Sequence, residues 1–526
     1  MSDRLDSWKD IASYLGREVR TAQRWERERR LPVHRLPGGD RPRVYALKSE
    51  LDLWLGTAPP ETDAPPSVAV LPFANLAGDK ENQYFGDGLA DDIINALTRI
   101  SGLRVTARTS SFAFRGKEQD VREIGAALGA EALLEGSVRR YASRMRISVQ
   151  LVSARDGYHL WSDVYDRELT DVFAVQDEMA RSIAQALSVQ LAPAPVVPRF
   201  TADTEAYDLW LKGRCAAALW TPAGFAQADE CFAGALARDP RFPLPYVAMA
   251  ESLFQSACFE LVPALEAAAR AKDLVLKALA LDDRLSEAHA VLGALCGTFE
   301  YDWAAARRAF QRAIELGSGS PAVLMRHAFY FLVPLRLFAD AVEELRNAVA
   351  LDPLSPLLHT RLGLTLLLAR DFPAAERHCR TAMELAPALW APRWFLGAVL
   401  MGRGRADEAL AQYRCAFELV GPQPMVLGAM CCVCGLLDHT NEARKMYSEL
   451  ETISRAAPVQ PLALAWAYLG LGDDRVFEAL GKAVDAREPG VTFLHSLLIY
   501  DGIRDDARFE GLLAKMRLSG SAGAAG

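Results

Sequence analysis

The stretch FPAAERHCRTAMELAPALWAPRWFLGAVLMGRGRADEALAQYRCAFELVGP, residues 372–422, carries one helical signature twice. Ala375, Cys379, Ala382 and Pro387 are answered 34 positions later by Ala409, Tyr413 and Ala416. Residues three and four apart share a face of an α-helix, so each set is a stripe with one large residue between two small ones. Such a stripe lets a second helix approach closely. Gly397 sits between the two sets, where the preceding helix needs a small residue. Each set therefore reads as the second helix of a helical hairpin, with Pro387 as a stop after it.

Working outward, the stripe recurs at Ala228/Phe232/Ala235/Pro240, Ala271/Val275/Ala278, Ala306/Phe310/Ala313 and Ala341/Leu345/Ala348/Pro353. Ala443/Tyr447 continues it, and Val476/Leu480/Ala483 is a weaker copy. The lead positions step by 43, 35, 35, 34, 34, 34 and 33 residues. Helix pairs at this period, with small residues at the crossing, resemble the tetratricopeptide repeat. One hairpin cannot bury its apolar face alone, so the hairpins are expected to stack as a solenoid. A generic Ala-rich bundle would not keep such equal steps. Pro263, inside the long first step, predicts a longer helix or loop there, and IRDDARFEGLLAKM (503–516) is expected to cap the array. The resemblance implies an unknown protein or peptide partner on the concave face.

At 526 residues the chain exceeds one hydrophobic core. Two Pro-rich stretches, GTAPPETDAPPS (56–67) and LAPAPVVPR (191–199), have linker composition. The expected architecture is multidomain: a small winged helix-turn-helix (1–56), a linker (57–66), an α/β mixed-sheet domain (67–190), a second linker (191–203), an all-α tetratricopeptide solenoid (204–517) and a flexible tail (518–526). The formal charge is −8 and no run approaches the ~18 apolar residues of a membrane helix. The opening MSDRLDSWKD lacks a signal-peptide core. A cytoplasmic location away from membranes is expected. All nine Cys lie between Cys215 and Cys434, and Cys431, Cys432 and Cys434 lack metal-ligand spacing, so buried thiols are expected.

Charge is uneven along the chain. Between Arg17 and Arg43 nine Arg face four acids. SWKDIASYLG begins with a capping Ser7 and places Trp8, Ile11, Ala12 and Leu15 at helical spacing. After a turn at Gly16, a second helix runs from Arg20, with Val19, Ala22 and Trp25 toward the core and Arg20, Arg24 and Arg27 on the opposite face. Pro37-Gly38-Gly39-Asp40 is hairpin chemistry between two arms, and Lys48–Leu55 closes the segment as a helix. The words WKDIASYLG, TAQRWERE and VYALKSELDLWL resemble the excisionase and MerR-like winged helices. That resemblance implies double-stranded DNA as a partner, met by Arg17, Arg20, Thr21, Gln23, Arg24 and Arg27, with Arg35, Arg41 and Arg43 on the phosphate backbone. A winged helix turned into a protein contact is the alternative, and homodimerisation stays open.

The middle part reads β-α-β-α-β-β-β-α: strands at 67–73, 103–107, 132–139, 145–152 and 158–165, and helices at 86–100, 121–128 and 172–187. VAVLPFANL, YFGDGLADDIINAL, LRVTARTSSFAFRG and VQLVSARDGYHLWSDVYDREL resemble the TolB N-terminal-like (FlgO-related) domain. The family is found ahead of tetratricopeptide repeats in bacterial regulators and in some cyclases. Its presence implies a fold and a setting, not a reaction. No phosphate loop, dinucleotide turn, nucleophile elbow or zinc-helix motif occurs. Asp87, Asp91 and Asp92 are read as acids favouring a helix N-terminus rather than as metal ligands. His159 is read as structural. No catalysis, cofactor or metal is expected. The sequence points to a DNA-binding transcriptional regulator whose array recruits a partner; the alternative is an interaction scaffold or an accessory subunit of a signalling enzyme.

Overall fold

The computed structural model describes residues 4–5, 7–15, 19–29, 31–36, 43–48, 50–51, 65–76, 83–98, 100, 102–117, 119–141, 144–168, 172–187, 200–217, 222–258, 262–317 and 319–519. The chain forms two compact units, Met1–Pro65 and Pro66–Gly526.

In the first unit, Ser7 caps helix α1 (Trp8–Tyr14) by accepting the N–H of Asp10 at 3.2 Å. Helix α2 (Val19–Arg29) follows. Strands β1 (Arg4–Leu5), β2 (His34–Leu36) and β3 (Arg43–Leu47) form an antiparallel sheet in the order β1-β3-β2. Ile11, Ala22, Trp25, Val44, Ala46 and Leu51 build the core. The expected core role of Val19 is wrong: it is 37% exposed. It opens α2, a turn short of Ala22 and Trp25, and the core ends there. The turn at Gly16, the hairpin turn at 37–40, and 52–64 of the closing helix and linker lie outside the described residues.

The second unit opens with a mixed sheet. Strands β4 (Ser67–Val70), β6 (Arg104–Val105) and β7 (Ala132–Tyr141) run parallel, and β5 (Ala74–Asn75) also pairs with β7. Strands β8 (Arg144–Ser153) and β9 (His159–Glu168) add antiparallel to give the order β6-β4-β7-β8-β9. Helices α3 (Gln83–Leu97), α4 (Arg108–Phe112), α5 (Val121–Leu128) and α6 (Val172–Ala186) complete this part. Helix α5 lies where the spacing put it, between the capping Asp120 and Gly129, whose φ of 61° ends the helix. The short β5 and α4 are additions that the sequence pattern was too brief to show.

Among the described residues sixteen helices follow as eight hairpins: α7 (Thr204–Ala217)/α8 (Pro222–Arg238), α9 (Pro243–Cys258)/α10 (Ala264–Leu281), α11 (Ser286–Thr298)/α12 (Trp303–Gly317), α13 (Pro321–His327, continued by a π-turn to Leu332)/α14 (Phe338–Leu351), α15 (Pro356–Leu368)/α16 (Phe372–Leu385), α17 (Trp390–Gly402)/α18 (Ala406–Val420), α19 (Pro424–Leu436)/α20 (Thr440–Ala456) and α21 (Pro461–Gly470)/α22 (Val476–Asp485). The lead alanines 228, 271, 306, 341, 375, 409 and 443 are all fully buried. The glycine positions give the reason. A Cβ on Gly213 would stand 2.4 Å from the Phe232 ring, on Gly293 2.7 Å from Phe310, on Gly363 2.9 Å from the Cys379 thiol and on Gly397 2.9 Å from Tyr413. In these four hairpins the large residue of the second helix thus fills the gap left by a glycine on the first. Pro263 precedes α10 at the N-cap, and the long first step is taken up by longer helices on both sides of it.

After α22 the chain makes two 3₁₀ turns (489–493 and 498–503) and a last helix, α23 (Ala507–Lys515). Val491, Leu494, Tyr500 and Met516 are fully buried, and Leu518 is 1% exposed. Residues 188–199 and 520–526, most of the second linker and of the tail, lie outside the described residues.

Candidate partner-binding surfaces

On the first unit the surface is α2. Arg20 and Arg24 are exposed, one turn apart, while Thr21 and Gln23 are partly buried. Arg35 on β2 is exposed and pairs with Glu26 of α2 at 2.5 Å. Arg27 lies within α2 and Arg43 within β3, but their side chains are outside the described residues, as are Arg17 and Arg41 altogether. His34 pairs with Glu50 at 2.7 Å, and Arg4 stacks over Tyr45 at 4.3 Å.

On the second unit the array's inner face can be located from the small residues. Gly213, Ala250, Gly293, Ala328, Gly363, Gly397, Cys431 and Ala465 recur on successive first helices and are buried. The residue after each points to the adjoining face. Several of these followers touch parts of the chain far from their own hairpin. Arg214 pairs with Asp91 of α3. Phe329 lies 5.1 Å from the Phe493 ring. Trp466 donates its Nε1–H to the Tyr500 hydroxyl at 2.6 Å.

The inner face is therefore covered at two places by the chain itself. At the first hairpin, α3 lies against α7: Leu211 packs where Gly88 has no Cβ, and the Tyr207 hydroxyl donates to Asp92. Gln176 of α6 donates to the same Asp92 oxygen at 2.9 Å. Arg115 pairs with Asp87 at 2.5 Å. Burial, with the Asp91 charge beside it, pushes the Asp92 carboxyl up to about 7. The reading of Asp87, Asp91 and Asp92 as N-terminal acids thus needs correction. The helix begins at Gln83, so Asp91 and Asp92 sit more than two turns inside it. Arginines, a tyrosine and a glutamine from other elements hold the three acids in place of the helix dipole.

The second cover is residues 488–518. Trp303 donates to the Met516 carbonyl at 2.9 Å, and, just ahead of the cover, Tyr301 donates to the Val484 carbonyl of α22 at 3.3 Å. Arg370 reaches Asp501 at 3.0 Å, and Arg487 stacks 4.1 Å over the Tyr301 ring. Glu488 accepts the N–H of Leu462 at 3.0 Å, and burial pushes its carboxyl up to about 7. A separate contact joins the sheet region to the turn between the fourth and fifth hairpins. Asp352 accepts the Ser110 N–H at 2.8 Å and its hydroxyl, and Ala107 N–H donates to the Leu351 carbonyl at 2.8 Å. The concave face expected to be open to a partner is thus partly occupied. The sequence did not signal this, since the contacting residues lie up to 244 positions apart.

The remaining candidates are the clustered cysteines and His159. Cys431, Cys432 and Cys434 are buried on α19, where burial pushes the Cys431 thiol up to about 12 and the Cys434 thiol up to about 11. All nine cysteines are free thiols. His159 is exposed on β9. Among the described residues there is no group of three His, Cys, Asp or Glu placed to hold a metal ion, and no helix is long and apolar enough to cross a membrane.

No family model matches the chain. A Rhizobium meliloti (strain 1021) protein named "Putative adenylate cyclase 3" is 50% identical over 159 residues, 30% of this chain and 27% of that protein. The chain thus spans about a quarter of the length of this curated relative. Among solved structures, Pseudomonas aeruginosa PilF aligns with a TM-score of 0.33 and 18% identity, covering 42% of this chain and 95% of that one. YrrB, described as a TPR protein with an unusual peptide-binding site, gives 0.27 and 20%, covering 38% and 96%. A human IFIT1 dimer with m7Gppp-AAAA gives 0.41 and 16%, covering 62% and 76%. At such scores the hairpins themselves carry the assignment: a mixed-sheet region followed by a tetratricopeptide-like helical solenoid.

Proposed function

We propose that this chain is a protein-interaction scaffold, or an accessory subunit of a signalling enzyme, whose array holds a protein or peptide partner. The carrying observation is the run of eight stacked hairpins with part of its inner face between the two self-covers. Glu287 is exposed there beside Arg214. The match to a protein named for cyclase activity favours the signalling setting. It is longer than the first unit, so it must include part of the second. In this reading the sheet region is a TolB N-terminal-like domain, the protein works in the cytoplasm, and the chain itself carries no catalytic step. The test is co-elution of the purified full chain with nucleotide-cyclase catalytic chains from the same genome. A partner that binds wild type and is lost on Glu287→Lys supports the reading. Failure of every such chain to bind at micromolar concentration sinks it.

A second reading has its own observation. Arg20 and Arg24 are exposed one turn apart on α2, the placement a winged helix uses to meet DNA. In this reading the first unit is MerR/excisionase-like, Arg17, Arg20, Thr21, Gln23, Arg24 and Arg27 face the groove, and Arg35, Arg41 and Arg43 meet phosphates. An electrophoretic shift across a salt series tests it. Arg20→Ala or Arg24→Ala should lower the log–log salt slope by about 1 for each phosphate that the arginine neutralises. No salt-dependent binding by the wild-type chain rules the reading out.

A further inference from the structure

The cover on the first hairpin is a charge cluster in which acids outnumber the nearest cation. Asp91 and Asp92 both face Arg214 of α7, and so does Glu287 from α11. Arg115 is taken by Asp87 at 2.5 Å. Arg108 of α4 and Cys215 of α7 line the same junction on the Asp87 side, with Tyr84 of α3. Asp92 itself is held by two uncharged donors, Gln176 from α6 and Tyr207 from α7. Two shielded carboxylates, Asp91 and Asp92, at one guanidinium, with the exposed Glu287 at the rim, are balanced most cheaply by a proton on one of them. Asp92 is the member whose own hydrogen-bond partners bring no positive charge.

We propose that Asp92 is protonated in the closed arrangement and works as a proton-operated latch between α3 and the first hairpin, its ionisation loosening the cover over Tyr207 and Arg214. Burial and the neighbouring Asp91 hold its proton to about 7, against an ordinary carboxylate value near 4. The closed form thus binds the proton more tightly than the loosened form. Closure is strongest in acid, weakens as pH rises from about 4 to about 7, and changes little above that. The Leu211–Gly88 packing is unaffected by pH, so the movement is a loosening and not a separation. Its consequence for partner capture rests on the scaffold reading; the latch itself does not.

Hydrogen exchange of the full-length protein, without partner, tests it between pH 5 and 8.5 after correction for intrinsic exchange rates. Residues 204–217 are compared with 406–420 of α18, which touches neither cover, as an internal reference. The expected result is a relative loss of protection of up to about tenfold per pH unit from 5 to 7, levelling off above. Asp92→Asn, a neutral replacement of the same shape, should flatten the profile; Asp92→Ser serves if the Asn variant does not fold. Glu488→Gln, which removes the raised carboxyl of the other cover, should leave the 204–217 profile as in wild type. Protection of 204–217 that follows the reference at every pH overturns the latch, and so does a neutral variant with the wild-type slope. Because exchange is read without a partner, failure here is distinct from failure of the scaffold reading.

Discussion

At the first hairpin the array's inner face meets α3 through Arg214, Tyr207, Asp91 and Asp92. Further along, it meets residues 488–518 through Phe329, Phe493, Trp466 and Tyr500. Both covers pack apolar side chains, but the first also buries carboxylates against an arginine, whereas the ion pair of the second, Arg370 with Asp501, lies half exposed at its edge. Coulombic contacts change with protonation and salt, whereas buried apolar area does not. The comparison teaches that one solenoid can carry an adjustable cover and a permanent one on the same face. The contrast is not absolute, because Glu488 in the second cover also keeps a raised carboxyl near 7.

The largest expected effect breaks the permanent cover. Tyr500→Ala would remove a fully buried ring with its Trp466 hydrogen bond, and a loss of about 3–5 kcal/mol is expected in denaturant unfolding. A loss below about 1 kcal/mol would mean that the second cover is loose and the contrast false. Next comes the array's own packing. A Cβ at Gly435 would stand 1.8 Å from the Gly470 carbonyl oxygen, backbone against backbone. Gly435→Ala should cost about 1–3 kcal/mol by forcing α19 and α21 apart. Tyr301→Phe deletes only the hydroxyl bonded to the Val484 carbonyl, and about 0.5–1.5 kcal/mol is expected. Thermal unfolding of this variant would show whether the bond matters beyond the ring it leaves in place.

The smaller effects sharpen the comparison. Both raised carboxyls bind protons more tightly when folded, so their stabilisation is present in acid and lost as pH rises through about 7. Denaturant midpoints should fall between pH 5 and 7, less so for Glu488→Gln and least for the double variant with Asp92→Asn. Smallest of all is Arg370→Ala. Its pair with Asp501 is half exposed, and about 0.2–1 kcal/mol is expected, shrinking further at high salt.

How much of this was legible depends on the distance over which each feature is determined. The hairpins were readable because their packing is local. Phe232, Phe310, Cys379 and Tyr413 meet glycines 16 to 19 residues before them in the adjacent helix, and the alanines that frame them recur once per hairpin. Helix α5 was readable because its cap and its stop flank it directly. The acids of α3 were misread because the sequence placed the helix start at Gly86, three residues late, and because Arg214 lies 122 to 127 positions away. Val19 was misplaced because spacing gives a helix face and not where the core ends. The arginines of α2 stood out as a cluster, yet Arg35 is tied to Glu26 by a turn whose geometry no pattern specifies.

The sequence by itself determined that the chain repeats, where each hairpin lies, which residues each buries, and that a short basic segment precedes a mixed sheet. Those features follow from helical periodicity and nearest-neighbour packing, which act within one or two repeats. Only the tertiary structure decided that the array's inner face is partly taken by its own α3 and by residues 488–518. The curvature of the stack brings Tyr301 to Val484 and Trp303 to Met516. That curvature is the sum of small rotations at every hairpin, a quantity that no single stretch of sequence encodes.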